Sequence, residues 1–147
     1  MTIRFFSQSP AHRELSNFAP FWIDLGDARW PTVEHYYQAQ KFNDPQLQAA
    51  IRAAAEPIIA KSLAEKNKAA MRPDWDAVKD EVMYRAVRRK FELRPALKAV
   101  LLATGEEDIA EANPADNYWG IGRDSTGLNK HGKIMSRIRA DLQAGAR

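Results

Sequence analysis

The amino-acid sequence predicts an α+β fold, a single mainly helical domain over residues 1–147 with a small antiparallel sheet near its N-terminus. Three observations lead there. Short apolar runs of strand length, Ile3 to Phe6 and Phe21 to Leu25, stand near the start. Beyond them, apolar residues recur at three- to five-residue steps, the period of an amphipathic helix. Helix-opening residues precede those stretches: Thr32, Asp44-Pro45, Pro57, Pro73-Asp74 and Pro95.

Taken in order, Gly26-Asp27 separates Phe21 to Leu25 from Ala28-Arg29-Trp30, which reads as a hairpin. Pro31 ends the extended stretch, and Thr32 stands at the N-cap of a helix over 33–42. Asp44-Pro45 opens a helix from Gln46 to Ala54, and Pro57 opens another to about Asn67. Trp75, Val78, Val82, Ala86 and Phe91 mark a long amphipathic helix. Pro95 begins a shorter one through Leu97, Val100 and Leu101, ending near Gly105. Ile134, Met135, Ile138 and Leu142 mark the last helix, which begins near Lys130.

Composition narrows the classes. Hydrophobic residues are 45% and charged residues 28%, the balance of a chain that buries a core. There is no cysteine, which excludes disulfides, thiolate nucleophiles and thiolate metal sites. His12, His35 and His131 show no zinc-ligand spacing, so no metal and no cofactor is expected. No apolar run approaches the ~20 residues of a membrane helix, and Met1 to Ser9 lacks the apolar core of a signal peptide. A cytoplasmic chain without membrane contact or an obligate protein partner is expected. The net charge of +3, from 22 basic and 19 acidic side chains, suits a phosphate-bearing ligand without requiring a polyanion.

Two stretches carry chemistry. On the helix from Val33, Glu34, Gln38 and Lys41 fall on one face at about 100° per residue. A carboxylate, an amide and an ammonium on successive turns can hold a polyhydroxylated phosphate ligand. Trp30, Tyr36 and Tyr37 beside them offer rings for a base to stack on. The plainer reading is a solvated polar face, with His35 and the tyrosines in the core.

The second stretch is Asp116-Asn117-Tyr118-Trp119-Gly120-Ile121-Gly122-Arg123, followed by Gly127, Asn129 and Gly132. Its glycines allow backbone amides to surround an anion ahead of the last helix. They serve equally for ordinary turns, with Trp119 as a hydrophobic anchor. Glu111 and Asp116 supply carboxylates. Lys61 lies beside the apolar Ile58-Ile59-Ala60, where a partly buried ammonium can aim at a pocket. Arg85, Arg88, Arg89 and Lys90 read as a solvated face; a nucleic-acid footprint is the sharper alternative.

Leu15-Ser16-Asn17-Phe18 and the run from Trp30-Pro31-Thr32-Val33-Glu34-His35-Tyr36-Tyr37-Gln38 to Phe42 resemble the signature of the NADAR family. Arg72-Pro73-Asp74-Trp75, Lys90-Phe91, Glu111-Ala112, Asp116, Trp119-Gly120-Ile121-Gly122, Asn129 and Gly132 continue the resemblance in the family's order. It covers nearly the whole chain. There are departures: Ala11-His12-Arg13 stands where relatives tend to carry a tyrosine and a glycine. His131 stands where they usually carry leucine.

The resemblance implies an N-glycosidase that binds ribose-phosphate or ADP-ribose-type ligands. Its expected substrates are aminopyrimidine ribose-phosphate intermediates of riboflavin synthesis or, alternatively, ADP-ribose attached to guanine in DNA. A non-catalytic NAD or ADP-ribose reader is the rival from another class. Breaking an N-glycoside builds positive charge at the ribose C1, which a carboxylate stabilises. Glu34, Asp116 and Lys41 are the expected catalytic groups. The expected ligand-binding set is Asn17, Phe18, Trp30, His35, Tyr36, Gln38, Lys61, Glu111, Trp119, Gly120, Gly122 and Asn129.

Overall fold

Thr32 shows how local chemistry starts a helix in this chain: its hydroxyl accepts the His35 amide, and α1 (Val33–Ala39) begins one residue later. The computed structural model describes residues 1–145. Their order is β1 (Thr2–Phe5), a 3-10 turn, β2 (Ile23–Leu25), β3 (Ala28–Trp30), α1, α2 (Pro45–Arg52), α3 (Pro57–Lys66), a second 3-10 turn, α4 (Trp75–Glu92), α5 (Pro95–Ala103), β4 (Asp108–Glu111) and α6 (Lys130–Gly145). The mainly helical α+β class is observed. These elements fall into two compact units, Pro20–Lys90 and Met1–Ala19 with the chain from Phe91 onward.

In the Pro20–Lys90 unit, β2 and β3 form the expected antiparallel hairpin in register Ile23↔Trp30, Asp24↔Arg29 and Leu25↔Ala28. Asp44 caps α2 through the Gln46 amide at 2.9 Å, with Pro45 in the first turn, where a missing N–H costs nothing. α1 is shorter than the predicted 33–42. Lys41 N–H bonds the Gln38 carbonyl and Phe42 N–H the Ala39 carbonyl, so the chain tightens into i→i+3 turns beyond Ala39. α1 packs on α2, α3 and β3. Fully buried Phe42, Ile51 and Ile23 lie in this core, each stabilising the fold by about 1.5–3 kcal/mol.

In the other unit the sheet differs from expectation. β1 pairs in parallel with β4, from Thr2↔Asp108 to Phe5↔Glu111, so Ile3 to Phe6 does not belong to the antiparallel sheet. β4 went unread because Asp108-Ile109-Ala110-Glu111 is half charged and neither alternates nor forms an apolar run. α6 packs on β4 and α5 packs on α6. Arg139 of α6 donates to Thr104 Oγ1 and to the Glu107 carbonyl, both at 2.8 Å, which satisfies groups at the end of α5.

The basic run on α4 is not uniformly solvated. Arg85 and Arg88 are exposed, but Arg89 bonds Asp24 Oδ1 at 2.7 Å and Lys90 is fully buried. The Lys90 ammonium lies 5.3 Å from the Phe21 ring centroid. At the end of a long apolar stem, this cation gains from the ring's negative face. Among the described residues, no helix is long and apolar enough to cross a membrane.

Candidate functional site

α1 is buried at all seven positions, its polar stripe included. Glu34 is 7% exposed and Gln38 3%, so the solvated-face reading does not hold. Gln38 Nε2 donates to Glu34 Oε1 at 2.6 Å. This bond fixes the amide's orientation, because the opposite rotamer would set two oxygens against each other. Gln38 Oε1 is then a buried acceptor that no described protein group satisfies. Such an atom costs free energy unless a donor arrives from elsewhere.

Lys41 lies just past the end of α1, its carbonyl held by the Arg72 amide at 2.8 Å. Burial pushes its ammonium below the ordinary lysine value. Glu34 and Glu65 oppose that shift, while Lys61 and Lys68 add to it. Glu34 and Lys41 therefore interact electrostatically, and Gln38 joins the carboxylate by a hydrogen bond. Lys61 on α3 is exposed and is not the partly buried ammonium expected from its apolar neighbours.

The rings beside this stripe sit in the core. Trp30 and Tyr36 meet edge to face at 5.5 Å between centroids and both are buried. Burial raises the Tyr36 hydroxyl above its ordinary pKa, partly offset by Arg85. His35 braces the fold. Its Nε2 donates to the Ala54 carbonyl at 2.9 Å, and its Nδ1 lies 2.8 Å from Thr32 Oγ1. A carbonyl only accepts, so Nε2 carries the proton and Nδ1 of the neutral ring accepts from the hydroxyl. Burial holds His35 below the ordinary imidazole pKa, outweighing the Ala54 carbonyl, which acts in the opposite direction.

In the other unit, Asn17 is buried and Phe18 half-buried after the first 3-10 turn, where the Phe18 amide donates to Ser16 Oγ at 3.1 Å. Asp116 Oδ1 accepts the amides of Tyr118 at 2.9 Å and Trp119 at 2.7 Å, so this carboxylate organises its own loop. Trp119 is 9% exposed, its ring edge against Tyr118. The loop does not turn these amides toward an anion. Those of Gly127, Leu128, Asn129, Lys130 and His131 donate to carbonyls of residues 117–121, and the Ile121 amide to Glu111. The first amides of α6 are thus occupied.

The glycines permit this folding back. A Cβ on Gly120 would lie 2.9 Å from the Asp116 carbonyl oxygen and from Glu111 Oε2, and Gly122 adopts φ 73°. Asn129, at φ 52°, commits its amide to β4, donating to the Ile109 carbonyl at 2.9 Å and accepting from Glu111 N–H at 3.0 Å.

Glu111 is joined by a residue that sequence reading gave no site role. His131 Nδ1 lies 3.1 Å from Glu111 Oε1, and the ring is fully buried. A histidine on the inward face of a helix opposite a strand-end carboxylate was the available signal, hidden because β4 was unread. A 460 Å³ cavity opens in the same loop between Asn117, Arg123, Asp124, Thr126 and Leu128. None of the expected site residues lines it. Among the described residues, no three histidine or carboxylate side chains converge as a metal-ligand set.

A profile of the NADAR domain family matches residues 4–143. An N-glycosidase of Nostoc punctiforme is 40% identical, covering 97% of this chain and 94% of its own. N-glycosidase YbiA of Escherichia coli K12 is 38% identical, covering 95% of this chain and 88% of its own. A riboflavin biosynthesis protein of Vibrio vulnificus is 38% identical over 98% of this chain, which spans 39% of that longer protein. The solved NMR structure of Escherichia coli YbiA superposes with a TM-score of 0.91 at 36% identity, covering 99% of this chain and 87% of that one. The protein is an enzyme of the N-glycosidase class. It belongs to the NADAR family.

Proposed function

We propose that this chain hydrolyses the N-glycosidic bond of ribose-5-phosphate-bearing aminopyrimidines, the intermediates of early riboflavin synthesis, in the cytoplasm. The observation that carries the reading is the buried Glu34–Gln38 pair next to the desolvated Lys41. Burying a carboxylate and an amide on a helix with every residue inside is costly. An enzyme that must stabilise charge at one carbon of a ribose phosphate gains from it. Similarity to a riboflavin biosynthesis protein of Vibrio vulnificus supports this substrate class.

In the proposed reaction the C1–N bond breaks with its electron pair leaving on the base, which takes a proton. Water adds to C1, giving ribose 5-phosphate and the free aminopyrimidine. Glu34 stabilises the oxocarbenium-like state or takes the water's proton, and Gln38 Oε1 accepts from a ribose hydroxyl. Lys41 meets the phosphate, with Lys61 as a second cation. In an alternative step, neutral Lys41 attacks C1 and water later releases the sugar; depression of its pKa supports this variant. Asp116, Glu111, Trp119 and Asn17 are proposed as further ligand-binding residues.

Removal of ADP-ribose from guanine in DNA is the second reading, favoured by exposed Arg85 and Arg88. Turnover of both substrates at two salt concentrations separates the two. We expect the ribotide to be cleaved, with Arg85→Gln/Arg88→Gln changing its rate less than twofold. Arg89 is left intact because it holds Asp24. Salt-sensitive release of ADP-ribose from DNA, lost in the double variant while the ribotide is ignored, reverses the choice.

A further inference from the structure

Lysines from three segments of the Pro20–Lys90 unit converge at the end of α1. Lys41 follows the helix, and its half-buried side chain places the ammonium 5.5 Å from the Tyr37 ring centroid. α3 packs on α1 and carries the exposed Lys61. Lys68 arrives by another route. It opens the second 3-10 turn, Lys68–Ala70, just after Asn67 Nδ2 donates to the Leu63 carbonyl at 2.8 Å. Beyond that turn, Arg72 N–H donates to the Lys41 carbonyl at 2.8 Å. The backbone that bears Lys68 is thus tied to α3 on one side and to Lys41 itself on the other.

Burial is the main force that depresses the Lys41 ammonium; Glu34 and Glu65 oppose it, while Lys61 and Lys68 reinforce it. All four neighbours therefore act on one point. Three ammonium groups against two carboxylates leave that point positive, and Glu34 is turned toward Gln38. Among the described residues, none of the three lysines makes an ion pair. Cations gathered without close counter-charges repel one another, and an anion placed among them removes that repulsion. Lys61 and Lys68 are exposed, so a ligand meets them from solvent without any opening of the fold.

We propose that Lys68 is a specificity-determining residue: with Lys41 and Lys61 it grips one terminal phosphate, so that the site takes a phosphate monoester in preference to a phosphodiester or a diphosphate bridge. The proposal rests on the reading of the ligand as a ribosyl phosphate bound at Lys41. A monoester carries about −1.5 to −2 charge at pH 7 and three acceptor oxygens, one for each ammonium. A phosphate esterified on both sides carries about −1 and has fewer free oxygens, so a third cation gains little from it. Lysine suits the task, because an ammonium on a flexible stem meets phosphate as a point charge.

Calorimetric titration of the full chain with ribose 5-phosphate, its methyl phosphodiester and ADP-ribose tests it. The parent should bind the monoester about tenfold or more tightly than either of the others. Lys68→Ala should weaken monoester binding by about five- to tenfold, since an exposed cation is partly screened, and binding of the other two by less than about twofold. Lys68→Arg, which keeps the charge, should recover most of the loss. Lys66→Ala removes the same charge from an exposed position on α3 that is not among those acting on Lys41, and should change monoester affinity by less than about twofold. In turnover of the ribotide, Lys68→Ala should raise KM more than it lowers kcat. A parent that prefers the diester or ADP-ribose, equal losses for all three probes, no loss at all, or a loss in Lys66→Ala as large as in Lys68→Ala overturns the proposal while the ribosyl-phosphate reading stands. A parent chain that binds none of the probes overturns both.

Discussion

Glu34 and Asp116 are the same chemistry in opposite settings. Glu34 sits on a helix buried on every side, where the Gln38 amide donates to it and Lys41 is a near cation. Asp116 is half-exposed in a loop and already accepts two backbone amides through Oδ1. A carboxylate in the first setting keeps charge available for a reacting centre. In the second, its bonds hold the chain that surrounds it. Sequence proximity to glycines therefore says less about catalysis than the burial of the carboxylate does.

The comparison breaks most easily at Trp119. If the loop is a packed structural element, Trp119→Ala removes a buried indole and lowers stability by about 3–5 kcal/mol in chemical denaturation. Ligand affinity per folded molecule then changes little. Loss of affinity by about 1–3 kcal/mol with unchanged stability marks a stacking platform instead, and the contrast with α1 collapses.

A smaller effect sharpens the other side. His35 is a neutral core brace whose pKa burial depresses, so as pH falls the unfolded chain takes up the proton first. Its contribution is fully present above about pH 6.5 and is lost as the pH drops toward the folded value. Melting temperature should decline below that pH, and His35→Gln should be less stable at neutral pH with a flatter decline. An unchanged slope in the variant assigns the decline to other groups.

Much of the fold was legible because helix starts are local events. Thr32, Asp44-Pro45, Pro57 and Pro95 each announce an element within a few residues, and the observed helices begin there. The β1–β4 pair was not, since its partners lie about a hundred residues apart and β4 carries two acids in four residues. The α1 stripe was legible as a pattern, but its burial was not. Glu34, Gln38 and Lys41 have the spacing of any solvated face until the elements packed around α1 are known. In the loop, glycine density was visible, while the carbonyls that occupy its amides depend on α6 folding back onto it.

The most direct measurement of the central claim is release of ribose 5-phosphate from the aminopyrimidine ribotide by the parent, Glu34→Gln and Asp116→Asn. Glutamine at 34 can still accept from Gln38, and asparagine at 116 can still accept the Tyr118 and Trp119 amides. Each change therefore removes charge and leaves the local bonds. The parent should release ribose 5-phosphate and free base in equal amounts. Glu34→Gln should stay folded and turn over at least about a hundredfold more slowly, as loss of a carboxylate acting in the transition state predicts. Asp116→Asn should stay within about tenfold of the parent, since its hydrogen-bonding role survives. Near-parental turnover in Glu34→Gln, with the larger loss in Asp116→Asn, would contradict the account and move the chemical centre from the buried helix to the loop.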